Sequence, residues 1–452
     1  MALTEQSIAR LCIISSATLA AIAFLSPLYC AESIFIFLVP IFYALFALDY
    51  RMSFKDGVAW GSIFYIVFFF DISLLIVYKG IGIVRFFAAL FLIIYGMSIT
   101  GCWFFLAHTL CSFSKKNSTL IAIICWSITT VLYTLFIEHL FFCIFGRWEG
   151  MILQSFVLPL TIRSQWLYYC SFIGTDLFFC CIMALNILGA YALSSARYLL
   201  LGFSLFVLVA LFCAAGLLKE EEIAQSWIRQ IGCIVVDTDK HTVTNAAEQI
   251  MNALHNFQKL FPQCCILLMP ESSFSFPLNQ LKKYLSLWDC SSKLLLIGSH
   301  RYEENRLYNT LYCIKEGAII DFYDKNHRMV FTEQIPPLWA DFPGADTLFL
   351  SNAVPFCAGS SKNIINLPAL GAVRPLICSE LFFNAKQLKS EQIYLCLVND
   401  SWFFSSYLSN LMVLQAKTVA ITKKSIVIYC SYRHQLLITA RGNCFHLPAL
   451  IA

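Results

Sequence analysis

Charged residues are scarce in this sequence. They make up 13% of its 452 residues, whereas hydrophobic residues make up 59%. A soluble domain carries about 25% charged residues, so the shortage excludes an ordinary soluble protein. The apolar excess lies almost entirely before Leu218, and from Lys219 the composition is that of a globular domain. The sequence therefore predicts two parts, a multi-pass α-helical membrane bundle at residues 1–218 and an outer domain at residues 219–452.

Patterns for binding metals and nucleic acids are also missing. The 20 cysteines include no CxxC pair and no cysteine and histidine set with zinc-ligand spacing. The formal net charge is only +4 and there is no basic stripe, which argues against nucleic acid as a partner. The cysteine spacings show no disulfide framework, so we expect most of these residues to be buried thiols. The sequence predicts no metal and no cofactor.

Seven apolar runs occupy the membrane half. A spanning helix needs about 20 apolar residues, and the second run is short by that measure. The first run continues almost directly into the second, so we interpret it as a retained helix and not as a cleaved signal peptide. The runs are Leu11–Tyr29, Ser33–Leu48, Val58–Tyr78, Ile81–Cys111, Thr119–Phe145, Trp166–Leu193 and Tyr198–Leu218.

The basic residues of the short loops predict the orientation of this bundle, because cytoplasmic loops carry an excess of Lys and Arg. Lys79 and the segment Arg147–Arg163 place some charge on one side. The larger set on the other side is Arg10, Arg51, Lys55, Lys115, Lys116 and Arg197. The balance favours a cytoplasmic N-terminus. An odd number of helices then places residues 219–452 outside, which is the periplasm in a Gram-negative bacterium.

Apolar runs of strand length recur through the outer domain. We predict strands in IRQIGCIVV, CCILLMPES, KLLLIGSHR, LYNTLYCIKEG, GAIIDFYDKNHRMVF, GAVRPLICSE, QIYLCLVNDSWF and SIVIYCSYR, and a helix over Ala246–Leu260. Polar residues stand where three of these strands end, namely Glu271, Lys325 and Cys378. Taken singly, Glu271 is better explained as a solvated strand end and Lys325 as a surface lysine. Together they supply the base and the cation that a thiol nucleophile needs.

Six segments of the outer domain carry motifs in a fixed order. They are LMPES with Glu271, YNTLYCIKEG, YDKNHRMVFTEQIP with Lys325 and Glu333, VPFCAG, ICSELFF with Cys378 and Glu380, and NDSWFFSS. This ordered set resembles the nitrilase superfamily. It is most similar to the membrane-bound branch, the apolipoprotein N-acyltransferases, in which such a domain follows a multi-helix membrane bundle.

The resemblance implies an α/β nitrilase-like domain, an α-β-β-α sandwich, and acyl transfer in two steps. Cys378 would be the nucleophile that takes an acyl chain from phospholipid as a thioester, Glu271 the general base and Lys325 the group that stabilises the oxyanion. The acceptor would be the amine of a diacylglyceryl-modified N-terminal cysteine of a lipoprotein. Glu333 and Glu380 would orient Lys325 or assist proton transfer, with a structural ion pair as the alternative.

Aromatic and intramembrane polar residues add weaker hypotheses. Trp339, Trp402 and Phe403 are candidates for lining the entry of the acyl chain, although core packing explains each of them as well. Asp71 and Arg85 lie inside apolar runs, where ionisable residues are functional candidates. Because these two residues lie on consecutive predicted helices, we expect them to pair with each other.

The sequence departs from the family's pattern in several places. Ser379 stands where the family has tyrosine, YLSNLM replaces a P-x-Q-H segment, and SYRH replaces a T-N-x-G turn. Too few residues follow Gly442 for a spanning helix, so we expect none after the outer domain. Two alternatives therefore stay open. One is a membrane-anchored amidase or hydrolase of the same superfamily, and the other is a non-catalytic paralogue that binds lipid or lipoprotein.

Overall fold

The computed structural model describes most of the outer domain and parts of the membrane half. Asp71 and Trp339 lie outside the described residues, and so does the side chain of Arg85, the predicted partner of Asp71. The described residues are 4–25, 30–48, 50–68, 83–113, 121–132, 175–197, 229–236, 243–274, 277–278, 293–329, 333–335, 355–359, 364–368, 370–382, 393–403 and 406–451, with isolated positions between 159 and 210 and between 341 and 344. They separate into two compact units, with the division near residue 219.

Apolar helices make up the first unit. Those described are Glu5–Leu25, Val39–Ala47, Phe54–Phe68, Ile83–Phe113, Ile121–Leu132 and Thr175–Ser194. Three stretches among the described helices are long and apolar enough to cross a membrane, namely Glu5–Leu25, Ile93–Ser112 and Leu177–Ser194. The prediction of a multi-pass helical membrane half is confirmed.

The second apolar run does not form a single helix. A 3-10 turn at Ala31–Phe35 is followed by the short helix Val39–Ala47, which has a proline in its first turn. The side-chain oxygen of Asn186 accepts hydrogen bonds from the N–H groups of Leu38 and Val39, at 2.8 and 3.1 Å. The first N–H groups of a helix have no partner within it. This buried amide from another helix therefore fixes the point at which the second half of the run becomes helical.

Two six-stranded sheets form the second unit. Its strands are β1 (Ile231–Val235), β2 (Ile266–Met269), β3 (Leu294–Glu303), β4 (Arg306–Lys315), β5 (Ala318–Asp324), β6 (Ile365–Leu367), β7 (Gly371–Ile377), β8 (Ile393–Leu397), β9 (Ile426–Cys430), β10 (Gln435–Ile438), β11 (Cys444–His446) and β12 (Ala449–Ile451). The first sheet has the order β12-β1-β2-β3-β4-β5 and the second β11-β10-β9-β8-β7-β6. In the first sheet, β12, β1, β2 and β3 run parallel to one another. In the second sheet, β7, β8 and β9 do so.

Strand β2 of the first sheet is buried on both faces, and its successive side chains point to opposite sides. Ile266 and Leu268 of β2 pack in the core shared with the second sheet. Leu267 and Met269 pack instead in the core formed with the helix Val243–Leu260. This double burial explains why the strand is apolar at every position.

A second helix, Ser406–Thr422, covers the second sheet and contributes Ala416 and Ala420 to its core. The unit is therefore layered as helix, sheet, sheet, helix, which is the α-β-β-α sandwich expected from the sequence. The predicted strands are all present and differ from the predictions only in their bounds. Strands β6, β10, β11 and β12 were not predicted. The described cysteines are free thiols, and those of β1, β4, β8 and β9 are buried.

Candidate active site

The predicted catalytic residues come together where strands end. Glu271 follows β2 after one proline, Lys325 follows β5 directly, and Cys378 follows β7 directly. The ammonium of Lys325 lies 3.5 Å from Oε1 of Glu271, and burial together with the charge of the same carboxylate raises the pKa of the Cys378 thiol. Because strands are rigid, the scaffold fixes these distances. All three side chains are buried.

The Glu271 carboxylate is held by one group from β4 and one from the loop after β8. Its Oε1 accepts a hydrogen bond from the side-chain amide of Asn309 at 2.8 Å, and its Oε2 accepts one from the N–H of Asn399 at 2.9 Å. Gly298 leaves room for the turn that carries Glu271, since a Cβ there would lie 2.5 Å from the oxygen of Pro270. Only glycine fits at that position without displacing the turn.

Two carboxylates neutralise the buried ammonium of Lys325. Glu333 approaches it at 2.9 Å, closer than Glu271, and the side chain of Lys325 is only 2% exposed. Burial disfavours the charged form, but Glu333 and Glu271 outweigh burial and raise the pKa of Lys325 above its ordinary value. The lysine therefore stays protonated and presents a fixed positive charge to the site.

A single amide bridges the two carboxylates. The side-chain nitrogen of Asn309 donates to Oε1 of Glu333 and to Oε1 of Glu271, both at 2.8 Å. The backbone oxygen of Asn309 also accepts a hydrogen bond from the N–H of Lys325 at 2.8 Å. Asn309 thus contacts three members of the cluster. Sequence reasoning missed it, although a polar residue in the middle of an otherwise apolar strand is a usable signal.

The end of β5, which carries Lys325, is anchored by a buried acid. Asp324 accepts hydrogen bonds from the guanidinium of Arg301 at 3.0 Å and from the hydroxyl of Thr310 at 2.6 Å. These contacts tie β5 to β3 and β4. The position of the Lys325 ammonium is therefore tied to β4, the neighbour of β5 in the sheet, and to β3 beyond it.

Cys378 adopts an uncommon backbone conformation. Its φ angle is +50°, and a residue with a side chain in this region carries strain of about 1–3 kcal/mol. The strand ends at Ile377 and a 3-10 turn begins with Cys378, so the side chain sits at a sharp corner. Burial and the charge of Glu271 raise the pKa of the Cys378 thiol well above its usual value, against the opposing effect of Lys325. At neutral pH the resting group is a thiol, and it needs a base.

Glu380 organises the corner and does not pair directly with the ammonium. Its carboxylate accepts hydrogen bonds from the N–H groups of Ile377, Asn326 and His327 at 2.8–3.0 Å and from the hydroxyl of Tyr323. Burial raises the pKa of Glu380, while those N–H groups favour its charged form. Glu380 therefore joins the turn after β7 to the loop after β5. Glu333, by contrast, forms an ion pair with Lys325.

Two of the three predicted aromatic residues lie within the described part of the chain. Trp402 and Phe403 are half-buried, and their ring centroids are 5.3 Å apart. The indole N–H of Trp402 donates to the backbone oxygen of Asn399, the residue whose N–H binds Glu271. The aromatic pair is thus built on the same loop that holds the general-base candidate.

The segments that depart from the family's pattern are tied together by one buried acid. Asp400, which is 0% exposed, accepts hydrogen bonds from the hydroxyls of Ser409 and Ser431 and from the N–H of Arg433. Ser409 belongs to YLSNLM, and Ser431 and Arg433 belong to SYRH. The altered segments are therefore joined in one network, and sequence reasoning had no signal for it.

A buried thiol, carboxylate and ammonium at the strand ends of a sandwich define a site suited to acyl-transfer or hydrolytic chemistry. The chain is similar to curated apolipoprotein N-acyltransferases, which confirms the resemblance read from its motifs. The relative from Allorhizobium ampelinum is 28% identical over 160 residues, covering 31% of this chain and 29% of its own length. The relative from Campylobacter jejuni is 28% identical over 165 residues, covering 36% of each. That from Rhizobium rhizogenes is 31% identical over 156 residues, covering 30% and 28%.

These matches span about a third of the length of the curated relatives, and no family model matches the chain. Among solved structures, a carbon-nitrogen hydrolase from Helicobacter pylori matches with a TM-score of 0.37 and 12% identity, covering 49% of this chain and 88% of that one. A nitrilase-superfamily protein from Saccharomyces cerevisiae matches with a TM-score of 0.34 and 14% identity, covering 46% and 82%.

Proposed function

We propose that this chain transfers an acyl group from a phospholipid, through a thioester on Cys378, to the N-terminal amine of a diacylglyceryl-modified lipoprotein. The observation that carries the proposal is the burial of the Cys378 thiol, the Glu271 carboxylate and the Lys325 ammonium together at the ends of their strands, with Lys325 3.5 Å from Glu271. Similarity to apolipoprotein N-acyltransferases and the apolar helices of the first unit also support it.

In the first step, the Glu271 carboxylate takes the thiol proton as Cys378 Sγ attacks the carbonyl carbon of the ester. The Lys325 ammonium stabilises the oxyanion that forms, a role of the kind that changes rates by about 10²–10³-fold. The C–O bond then breaks, and the leaving alkoxide of the lysophospholipid receives the proton from Glu271. Sγ and the acyl carbon are now joined as a thioester.

In the second step, the amine of the acceptor attacks the thioester carbonyl and passes a proton to Glu271. The C–S bond breaks, an amide remains, and Cys378 regains its proton from the carboxyl group. Two easier steps replace one difficult exchange, because a thioester is reactive towards amines. The burial of Glu271, Lys325 and Cys378 limits access of water, which would otherwise compete as the acceptor.

We further propose that the enzyme resides in a bacterial inner membrane, with residues 219–452 as the catalytic domain on the periplasmic face. The charges of the short loops support this orientation. A reporter enzyme that is active only outside the cytoplasm, fused after Ala452, is expected to be active. Activity of a reporter that works only in the cytoplasm would place the domain on the other side of the membrane.

The reaction is tested with purified full-length protein in detergent. The protein is incubated with phospholipid labelled in its sn-1 acyl chain, the thioester is trapped, and a diacylated lipopeptide with a free N-terminal amine is then added. We expect label on Cys378 that moves into an amide of the peptide. Cys378→Ala should acquire no label, whereas Cys444→Ala, which changes an exposed thiol of β11, should behave as the wild type.

Other outcomes point to other functions. Release of the label as free fatty acid, at a rate that the lipopeptide does not change, would identify a hydrolase. Absence of label on Cys378 with every phospholipid would contradict the proposal and favour a non-catalytic paralogue.

A further inference from the structure

A tight four-residue turn connects β9 to β10, and we call its residues, Ser431–His434, the clasp. The N–H of Ser431 donates to the oxygen of His434 at 2.8 Å, and the hydroxyl of Ser431 accepts from the N–H groups of His434 and Arg433 at 2.9 and 3.2 Å. The side chain of Gln435 donates to the oxygen of Ser431 at 2.8 Å. These bonds make the clasp internally rigid.

The clasp holds the loop that follows β8 at two points. Asp400 accepts hydrogen bonds from the hydroxyl of Ser431 at 2.9 Å and from the N–H of Arg433 at 3.2 Å. The guanidinium of Arg433 donates to the backbone oxygen of Phe403 at 2.5 Å. This loop begins with Asn399, whose N–H binds Oε2 of Glu271. The clasp therefore fixes one of the groups that hold the carboxylate.

The clasp also holds the turn that carries Glu271 itself. The hydroxyl of Tyr432 donates to the backbone oxygen of Ser272 at 3.2 Å. Ser272 has a φ angle of +52°, a conformation that costs a residue with a side chain about 1–2 kcal/mol and persists only when its surroundings hold it. Consecutive residues of the clasp thus reach the two backbone segments on either side of the Glu271 carboxylate.

We propose that Tyr432 and Arg433 are positioning residues that keep the Glu271 carboxylate against the Cys378 thiol. The inference rests on the proposed role of Glu271 as the general base. Neither residue touches the reacting atoms, and both act through backbone oxygens, of Ser272 and Phe403. Loss of either contact lets a backbone segment relax, and a displacement of the carboxylate by about 1 Å is enough to reduce a rate by about a hundredfold.

The test measures alkylation of Cys378 by iodoacetamide, which needs neither phospholipid nor lipoprotein. Purified full-length protein is labelled between about pH 6 and about pH 9, and the rate at Cys378 is read by peptide-resolved mass spectrometry. In the wild type, the carboxylate accepts the thiol proton, so the rate should change little with pH. In Tyr432→Phe and Arg433→Gln the rate near pH 7 should fall about tenfold and then rise about tenfold per pH unit, as expected when only free thiolate reacts.

Conservative and distant substitutions separate positioning from general damage. Arg433→Lys keeps a donor and should restore part of the rate, and Lys424→Gln removes an exposed charge near the start of β9 and should change nothing. Arg433 is exposed, so Arg433→Gln should leave the fold intact. This variant therefore tests the positioning role even where Tyr432→Phe lowers the melting temperature. Wild-type rates and wild-type pH dependence in Arg433→Gln would overturn the inference. A wild-type protein that alkylates as expected but forms no thioester would refute the proposed function alone.

Discussion

Replacing Glu271 by glutamine should reduce the rate of thioester formation on Cys378 by about 10²–10⁴-fold, the range typical for loss of a general base. The pKa of the buried thiol is raised, so little thiolate forms without a base. The glutamine amide nearly matches the glutamate carboxylate in shape but cannot accept the thiol proton. Its NH2 group also faces the N–H donors that bind the carboxylate in the wild type. The measurement is the rate at which label from phospholipid appears on Cys378.

The matched control is Glu303→Gln, which changes an exposed carboxylate at the end of β3 and should leave the rate unchanged. The pH dependence gives a second check. In Glu271→Gln the remaining rate should rise with pH, because only hydroxide-generated thiolate reacts. A wild-type rate in Glu271→Gln would show that another group takes the thiol proton.

Replacing Lys325 by methionine should both abolish detectable acyl transfer and destabilise the outer domain by about 3–5 kcal/mol, the cost typical of breaking a buried ion pair on one side. Methionine fills a similar volume but leaves the carboxylates of Glu271 and Glu333 without their cation. Chemical unfolding of the full-length protein, followed by a probe in the outer domain, measures the loss. Lys315→Met removes a surface partner 4.0 Å from Glu316 and should cost no more than about 1 kcal/mol.

In Lys325→Met, the effect of the broken ion pair can be distinguished from simple loss of packing. Adding Glu333→Gln to Lys325→Met removes one of the unpaired charges and should recover part of the stability, whereas independent effects would add. Simple addition of the two losses in stability would mean that the lysine acts by filling space.

Sequence reasoning located the strands of this domain because their apolar patterns are local. β2 is apolar at every position since both of its faces are covered, and its bounding proline marks where it stops. β11 and β12 are three residues long, β11 exposed and β12 mostly half-buried, so no local pattern distinguishes them from a loop. They are strands because partners supply their hydrogen bonds, β10 for β11 and the distant β1 for β12.

The same distinction applies to the site. Glu271, Lys325 and Cys378 were found through a resemblance in motif order, and the spacing of their strands brought them together. Asn309 and Asp400 lie in quoted motifs but received no role, because their importance lies in contacts between segments far apart in the chain, such as the bond from Asn309 to Glu333. A polar residue in the sequence of a strand does not indicate which group its side chain will bind. Only the folded arrangement identifies the acids that these residues bind.

The pairing of β12 with β1 has a consequence for how the domain is made. Cys233 of β1 lies beside Ala449 of β12, on the order of 200 residues later in the chain, and such distant contacts form slowly. During synthesis, one edge of β1 stays open until nearly all of the domain has emerged. An open edge of an apolar strand readily pairs with other chains, so completion of the first sheet depends on protection of that edge while the remaining strands arrive.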